Sequence, residues 1–441
     1  MTLWAILAIA LLARVGGIVA LQAWKQPNYM EHGPIAVALI EHGTFAFGDF
    51  GVFQPSSVQS PPYPLFLAGL YKVFGYEISA ATSQITAPAA HVTAMLVNAL
   101  FGTLTVWLTF VLVRTAGGAP RVGLFAAAMM AVWPTQVYLV TTVQAIAMIV
   151  AATVAVVILF YRSVDTRRLG PWIAFSVIGC VAALTEPVLL PFMALSGLFI
   201  LFWRGLPLNV RLRNATILFI TALVVLGPWA YRNYLIHGKI VPVKSTFWVN
   251  MWKANNPNAS GTDRPVLSEE KVNELKAGMS DAQRRDTNFD NVRQYDLMSP
   301  ELRAQLTYKP EVEREEVFAT TTKAWISQNK SGYLKLCALR LYKTLWVEAD
   351  NPKAWNWPYV TSRTFILLMT PIGLFMAWNR GWRLFIPVMV MLTGLLTYTL
   401  TIAAARFAFP YEPWQLTLVA LVLVGVFGGA KRDEFVTKSI A

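Results

Sequence analysis

The chain has 441 residues, of which 56% are hydrophobic and only 14% charged, against about a quarter charged in an ordinary soluble domain. Its apolar residues fall in blocks of roughly 17–25, long enough to cross a hydrocarbon core of about 30 Å, which excludes a soluble globular protein. The formal net charge of +13 does not point to nucleic acid, because much of the excess sits in short loops between apolar runs, where Lys and Arg set membrane topology.

The first run, 2–23, is interrupted by Arg14 and lacks both a basic leading region and a convincing cleavage motif. It reads as a retained span rather than a signal peptide. Residues 25–90 follow as a long, partly apolar stretch. Pro34, then Ile35, Ala36, Leu39 and Ile40, with Gly43 beyond, predict a short helix, and Pro61–Phe74 predicts a second. Both are apolar on one side, as expected of helices lying in a membrane interface.

Further apolar runs fall at about 91–113, 122–160, 171–203, 214–235, 362–378, 384–405 and 413–429. Two are too long for one crossing. The run 122–160 breaks at Pro134-Thr135-Gln136 and resumes at Val143; the run 171–203 breaks at Thr185-Glu186-Pro187. If each crosses twice, Arg114, Arg121, Arg162, Arg167, Arg168, Arg204, Arg211, Arg213, Arg380, Arg383, Lys431, Arg432 and Lys438 all fall on one face. The positive-inside rule then predicts about ten spans with both termini cytoplasmic. Residues 236–361 are polar, of mixed charge, with helical patches at Glu311–Gln328 and Gly332–Leu345. The expected organisation is a transmembrane module over 1–235 with a first outer loop at 25–90, an extracytoplasmic domain over 236–361, and C-terminal membrane helices with a cytoplasmic tail over 362–441. The fold class is an all-α polytopic membrane protein.

No P-loop, no GxGxxG after a strand, no HExxH and no GxSxG occurs. The four histidines (32, 42, 91, 237) do not cluster, and Cys180 and Cys337 make neither a metal spacing nor an evident disulfide. No cofactor is certain; a divalent metal stays open without being indicated, and no metal site is assigned. What remains are carboxylates, basic residues and amides at the outer membrane boundary. Glu31 precedes the helix at Pro34. Either it is a carboxylate near a helix N-terminus, stabilised by about 0.3–1 kcal/mol, or it is a general base whose pKa an apolar surface raises toward the working range. Glu186, between two apolar runs, is a second acid candidate or an interfacial turn residue. Asp49 and Glu77 read as solvated loop acids, and His32 as a polar neighbour. Arg232, after Pro228-Trp229, and Arg406, before Phe409-Pro410, fit either snorkelling interfacial arginines or forks for a phosphate. Lys239, Lys244 and Lys253 add positive charge after Arg232.

In this order the pieces resemble the polyprenyl-phosphate-sugar-dependent glycosyltransferases of the GT-C fold, in particular the family-39-like and aminoarabinose-transferase-like bacterial proteins related to protein O-mannosyltransferases. The resemblance is carried by Glu31, Ala36 and Gly43 in the first loop, PPYPLFLAGLYKVFG (61–75), ALTEPVLLPF (183–192), PWAYRNYLIHGKIVPVKSTFWVNMWKANNPNASG (228–261) and ARFAFPYEPW (405–414). The fourth block is the most specific. The resemblance implies a GT-C-like bundle with interfacial helices in its first outer loop and a mixed extracytoplasmic domain. It implies inverting transfer of a sugar from a polyprenyl-phosphate donor to a hydroxyl of lipid A or core, a lipid-linked glycan, a cell-wall polymer or a protein. The setting would be the outer face of a bacterial cytoplasmic membrane. Glu31 would take the acceptor proton or orient the donor, and Arg232 and Arg406 would meet the donor phosphate. Asn233, Asn255 and Asn256 would order loops or touch substrate, and His32 and Tyr63 would line the substrate site. Three positions depart from the pattern: Asn28 where many relatives carry Asp, Ser60 where some carry a basic residue, and Gln144 near a junction where an acid is common. Two other classes remain. A lipid-linked-sugar transporter would bury charges at the midplane in broken, repeated helices; here the charges gather at span ends and no repeat is visible. A non-catalytic scaffold would leave Glu31 and the arginines without a role.

Overall fold

The computed structural model describes residues 2–79, 83–166, 168–267 and 292–427, with isolated positions between 270 and 277. Arg167, Lys431, Arg432 and Lys438, which enter the topology expectation, lie outside these residues. The expected apolar runs become α1 (Leu3–Ala20), α4 (Pro88–Ala116), α5 (Pro120–Val132), α6 (Pro134–Tyr138), α7 (Ile146–Thr166), α8 (Leu169–Thr185), α9 (Leu190–Phe202) and α10 (Leu208–His237). Before α4 lie α2 (His32–Glu41) and α3 (Pro62–Phe74); beyond α10 come α11 (Phe247–Ala254), α12 (Pro300–Leu306), α13 (Glu311–Gln328) and α14 (Lys330–Leu345). The chain returns through α15 (Trp357–Asn379), α16 (Phe385–Leu400) and α17 (Glu412–Phe427).

Boundaries follow local chemistry. Proline opens α4 and α5, where its missing N–H costs nothing, and Gly117 (φ +100°) and Gly238 (φ +63°) close α4 and α10 in the left-handed region that a Cβ disfavours. The first predicted short helix begins two residues before Pro34, at His32, so Glu31 occupies its N-cap. The expectation of an all-helical chain misses two hairpins. β1 (Ala46–Asp49) pairs with β2 (Val52–Pro55), and β3 (Glu77–Ile78) pairs with β4 (Ile85–Thr86), both antiparallel. The first turns through Phe50 and Gly51, both at positive φ.

Among the described residues, six helices are long and apolar enough to cross a membrane, and the pair α5–α6, bent by 53° at Pro134, makes a seventh when taken as one span. The halves of the 171–203 run, and α16, are shorter apolar helices; ten crossings result only if each of these three also spans. The helices are apolar on nearly all faces, as lipid-bathed or buried helices are. Helix α17 is buried along Glu412–Val422, while α10 keeps Phe219, Leu223 and Val224 exposed. Close crossings use small residues: a Cβ on Gly373 of α15 would lie 2.5 Å from the Leu418 carbonyl oxygen of α17.

Two arginines buried inside the bundle are held by carbonyls or by a carboxylate. Arg14 donates to the carbonyls of Ala10, Met130 and Ala131, capping the C-terminal end of α5. Arg363 meets Glu412 at 3.0 Å, and Gln136 donates to the same carboxylate at 2.8 Å. The connections gather at two ends. At one end the Arg383 N–H donates to the Ala116 carbonyl and its guanidinium pairs with Asp165. At the other, the Val143 N–H donates to the Asn28 carbonyl, Ser60 to Thr185, and the Ala403 N–H to Gly261. This second end carries the first loop, the segment between α10 and α15, and the candidate site.

Candidate active site

The first loop is fastened from two sides. Arg232, near the end of α10, donates from Nη1 to the Ser56 carbonyl (2.6 Å) and to Asn233 Oδ1 (3.1 Å), and from Nη2 to the Phe45 carbonyl (2.7 Å). Its guanidinium lies 4.7 Å from the Trp229 ring centroid and 5.5 Å from that of Phe45. From the other side comes Glu311, the first residue of α13. It accepts from the Ser56 hydroxyl (2.5 Å), from the Ser57 N–H and hydroxyl (2.9 Å each) and from the Ser245 hydroxyl. Arg314, one turn on, donates to the Asp49 carbonyl at 2.7 Å and stacks 5.2 Å from the Phe50 ring.

So fastened, the loop holds Glu31 part-buried beside Gln59, whose amide donates to Glu31 Oε2 at 3.1 Å. Burial pushes this carboxyl up, as the apolar surroundings lead one to expect. Its own backbone N–H, the Lys253 ammonium, Gln59 and His32 outweigh that, and the net position is below the ordinary carboxylate range. The expectation of a raised pKa is therefore corrected: Glu31 is held as a carboxylate. His32, buried against the Tyr63 ring at 5.0 Å, is driven the other way, down to about 4, by burial and then by Lys244 and Arg406, against the pull of Glu31. It is neutral at physiological pH.

The cations come from two stretches, the segment after α10 and the connection between α16 and α17. Lys253, on α11, lies with its ammonium 4.5 Å from the Tyr295 ring; burial lowers its pKa while Glu31, Asp263 and Asp49 oppose. Lys244 pairs with Glu186 at 3.7 Å. Among the described residues, Arg406 has only the Phe407 ring, 5.4 Å away, as a direct partner. Asp49, read from sequence as a solvated acid, is instead part-buried and raised by that burial, with Arg314, the Phe50 N–H and Lys253 opposing.

The predicted residues divide in two. Glu31, His32, Arg406 and Lys253 share one electrostatic neighbourhood. The asparagines order loops: Asn233 donates to the Val241 carbonyl, Asn255 links the Met251 carbonyl to Arg340, and Asn256 links the Trp252 carbonyl to Gln294. Tyr63 is buried and accepts from Asn98 at 3.5 Å. Gln59 and Glu311, which no sequence motif marks, complete the assembly.

Two departures from the family pattern meet in space. Gln144 places its side-chain amide 3.4 Å from the Asn28 backbone carbonyl. Among the described residues, no three His, Cys, Asp or Glu side chains come together in a way that would hold a metal ion.

No family model and no curated protein matches the chain. Among solved structures it resembles the oligosaccharyltransferase AglB of Archaeoglobus fulgidus, in complex with an inhibitory peptide and a dolichol-phosphate. The match has a TM-score of 0.50 and 15% identity, covering 97% of this chain and 50% of that one. The fold is GT-C. The chain spans about half the length of that oligosaccharyltransferase. A weaker likeness is to ArnT of Cupriavidus metallidurans bound to undecaprenyl phosphate, with a TM-score of 0.38 and 15% identity over 92% of this chain and 76% of that one.

Proposed function

We propose that the protein is a membrane glycosyltransferase that moves a sugar from a polyprenyl-phosphate carrier to a hydroxyl acceptor, at the end of the bundle bearing the first loop. The observation that carries this is an ionised, part-buried Glu31 under the direct influence of Lys253, with Lys244 and Arg406 acting on the adjoining His32, within a GT-C fold. The acceptor oxygen attacks the anomeric carbon, its proton passes to a Glu31 carboxylate oxygen, and the bond from that carbon to the phosphate oxygen breaks. The electron pair leaves with the polyprenyl phosphate, whose growing charge the cations stabilise. Arg406 and Lys253 are assigned to the phosphate, Arg232 and Glu311 to holding the loop, and His32 and Tyr63 to the apolar wall behind Glu31. The dolichol-phosphate and undecaprenyl phosphate held by the two structural neighbours are the same class of carrier. The side with the first loop is the extracytoplasmic side under the positive-inside reading.

The test uses the purified full chain with radiolabelled polyprenyl-phosphate sugars and membrane extract. Wild type should transfer label and Glu31→Gln should not, while both bind the carrier. Undiminished transfer by Glu31→Gln removes the base; no turnover with any donor removes the enzyme.

A further inference from the structure

Helix α14 is amphipathic in the opposite sense to a helix on a water-soluble domain. Its buried side carries polar and charged groups. Arg340 donates to the carbonyls of Thr399 and Ala254 and to Asn255 Oδ1, and Lys343 donates to the Ser260 carbonyl at 2.6 Å. Its outer side carries Leu334 (67% exposed), Leu339, Leu341 and Tyr342. The helix contains no acidic residue, and its two other lysines, Lys330 and Lys335, are exposed.

Position decides what covers this face. The Tyr333 hydroxyl donates to the Leu400 carbonyl at 3.0 Å and Arg340 Nε to the Thr399 carbonyl at 2.7 Å. These are the last carbonyls of α16, a shorter apolar helix of the bundle, so α14 lies level with the end of that helix, on the side of the first loop. Trp355 and Trp357, at the start of the neighbouring span α15, are also exposed, at 54% and 77%. Tryptophans at that depth mark the headgroup level. On the reading of the bundle as membrane-embedded, the apolar face of α14 continues the exposed apolar surface at the start of α15.

We propose that α14 is a membrane-interfacial helix: Leu334, Leu339 and Leu341 sit at the headgroup–acyl boundary of the bilayer, and Lys330 and Lys335 face anionic lipid headgroups. An exposed face of leucines interspersed with lysines, on a helix whose arginine and remaining lysine are turned inward onto carbonyls, Asn255 and Asp350, is the pattern of a helix lying in the interface plane. It makes the segment between α10 and α15 a body anchored to the lipid surface along its flank, in addition to its chain connections. The inference rests on the reading of the chain as a membrane protein and is independent of the chemistry assigned to Glu31.

Site-directed spin labelling of the full chain in phosphatidylglycerol–phosphatidylethanolamine nanodiscs tests it. Cys180 and Cys337 are buried, so label goes to the introduced cysteines Leu334→Cys and Leu339→Cys, with Thr320→Cys on exposed α13 as the aqueous reference. The ratio of oxygen to nickel-chelate collision rates should be severalfold higher at 334 and 339 than at 320, and lipids bearing a nitroxide near the headgroup should quench a bimane at 339. A ratio at 334 and 339 equal to that at 320 places the face in water and overturns the proposal. Shielding from both reagents, with a doubled mass per nanodisc, assigns the face to a second copy and overturns it equally. Transfer activity plays no part in the readout, so failure of the proposed reaction leaves this test intact.

Discussion

Arg232 Nη1 donates to the Ser56 carbonyl at 2.6 Å, and because Nη2 reaches Phe45, one side chain grips both feet of the β1–β2 hairpin. A guanidinium can do this with its fixed fork; an ammonium cannot. Arg232→Lys and Arg232→Ala should therefore behave alike. Each should lose about 1.5–3 kcal/mol of stability, the range for hydrogen bonds made by a charged group, and expose residues 45–57 to protease. Thermal unfolding in detergent with limited proteolysis reads this. A lysine variant as stable as wild type, with an alanine variant impaired only in carrier binding, would return Arg232 to the phosphate.

The position of Glu31 fixes the acid side of the rate profile. Its carboxyl lies below the ordinary range, so its negative charge persists as pH falls until that lower value is reached. The kcat/KM profile should carry no acid limb from this group at or above about pH 4.5. His32, at about 4, adds no titration between pH 5 and 8. An acid limb near pH 6.5 that Glu31→Gln abolishes would contradict the ionised state proposed here.

Glu315 gives a pH effect of opposite sign to the usual carboxylate. It accepts from the Trp248 and Val249 N–H groups in the first turn of α11, at 2.7 and 2.9 Å, yet burial pushes it up to about 7. The folded protein then binds a proton that the unfolded chain releases at ordinary carboxylate pKa. Stability contributed by this group is highest at low pH and declines as pH rises through about 4.5 to 7. Glu315→Gln should flatten that slope in detergent melts between pH 5 and 8; an unchanged slope rejects the assignment.

The Arg363–Glu412 pair is wholly buried, with side-chain exposures of 1% and 0%. Arg363→Met leaves an uncompensated carboxylate beside Gln136, and Glu412→Gln an uncompensated guanidinium. Each should cost about 3–5 kcal/mol, while the double replacement Arg363→Met/Glu412→Leu should recover much of the loss. Yields of folded protein and detergent melts of the three variants check this; additive losses would contradict the pairing.

The helices were legible because a membrane span must satisfy its backbone internally and be apolar along its length, so composition, proline breaks and loop charge suffice to mark it. Both breaks, at Pro134 and at Thr185-Glu186-Pro187, fall where the sequence put them. Glu31 was legible as a candidate, but its ionisation was not: that depends on its own backbone N–H and on Lys253, 222 positions away in sequence, together outweighing the burial that sequence did foresee. Glu311 left no trace because a glutamate opening a polar helix is indistinguishable from one facing water. The hairpin 46–55 was missed because its four-residue strands are too short for their alternation to register.

The bond from Ser56 to Glu311 spans 255 residues. At about 5–20 residues per second of synthesis, the first loop waits roughly 13–51 s for the glutamate that fastens it. Helices α3 to α10 are made during that interval, and Arg232, 176 residues beyond Ser56, reaches the loop before Glu311 does. Assembly of the site is therefore among the late events in the biogenesis of this chain, and a nascent protein stalled before α13 would be inserted yet inert.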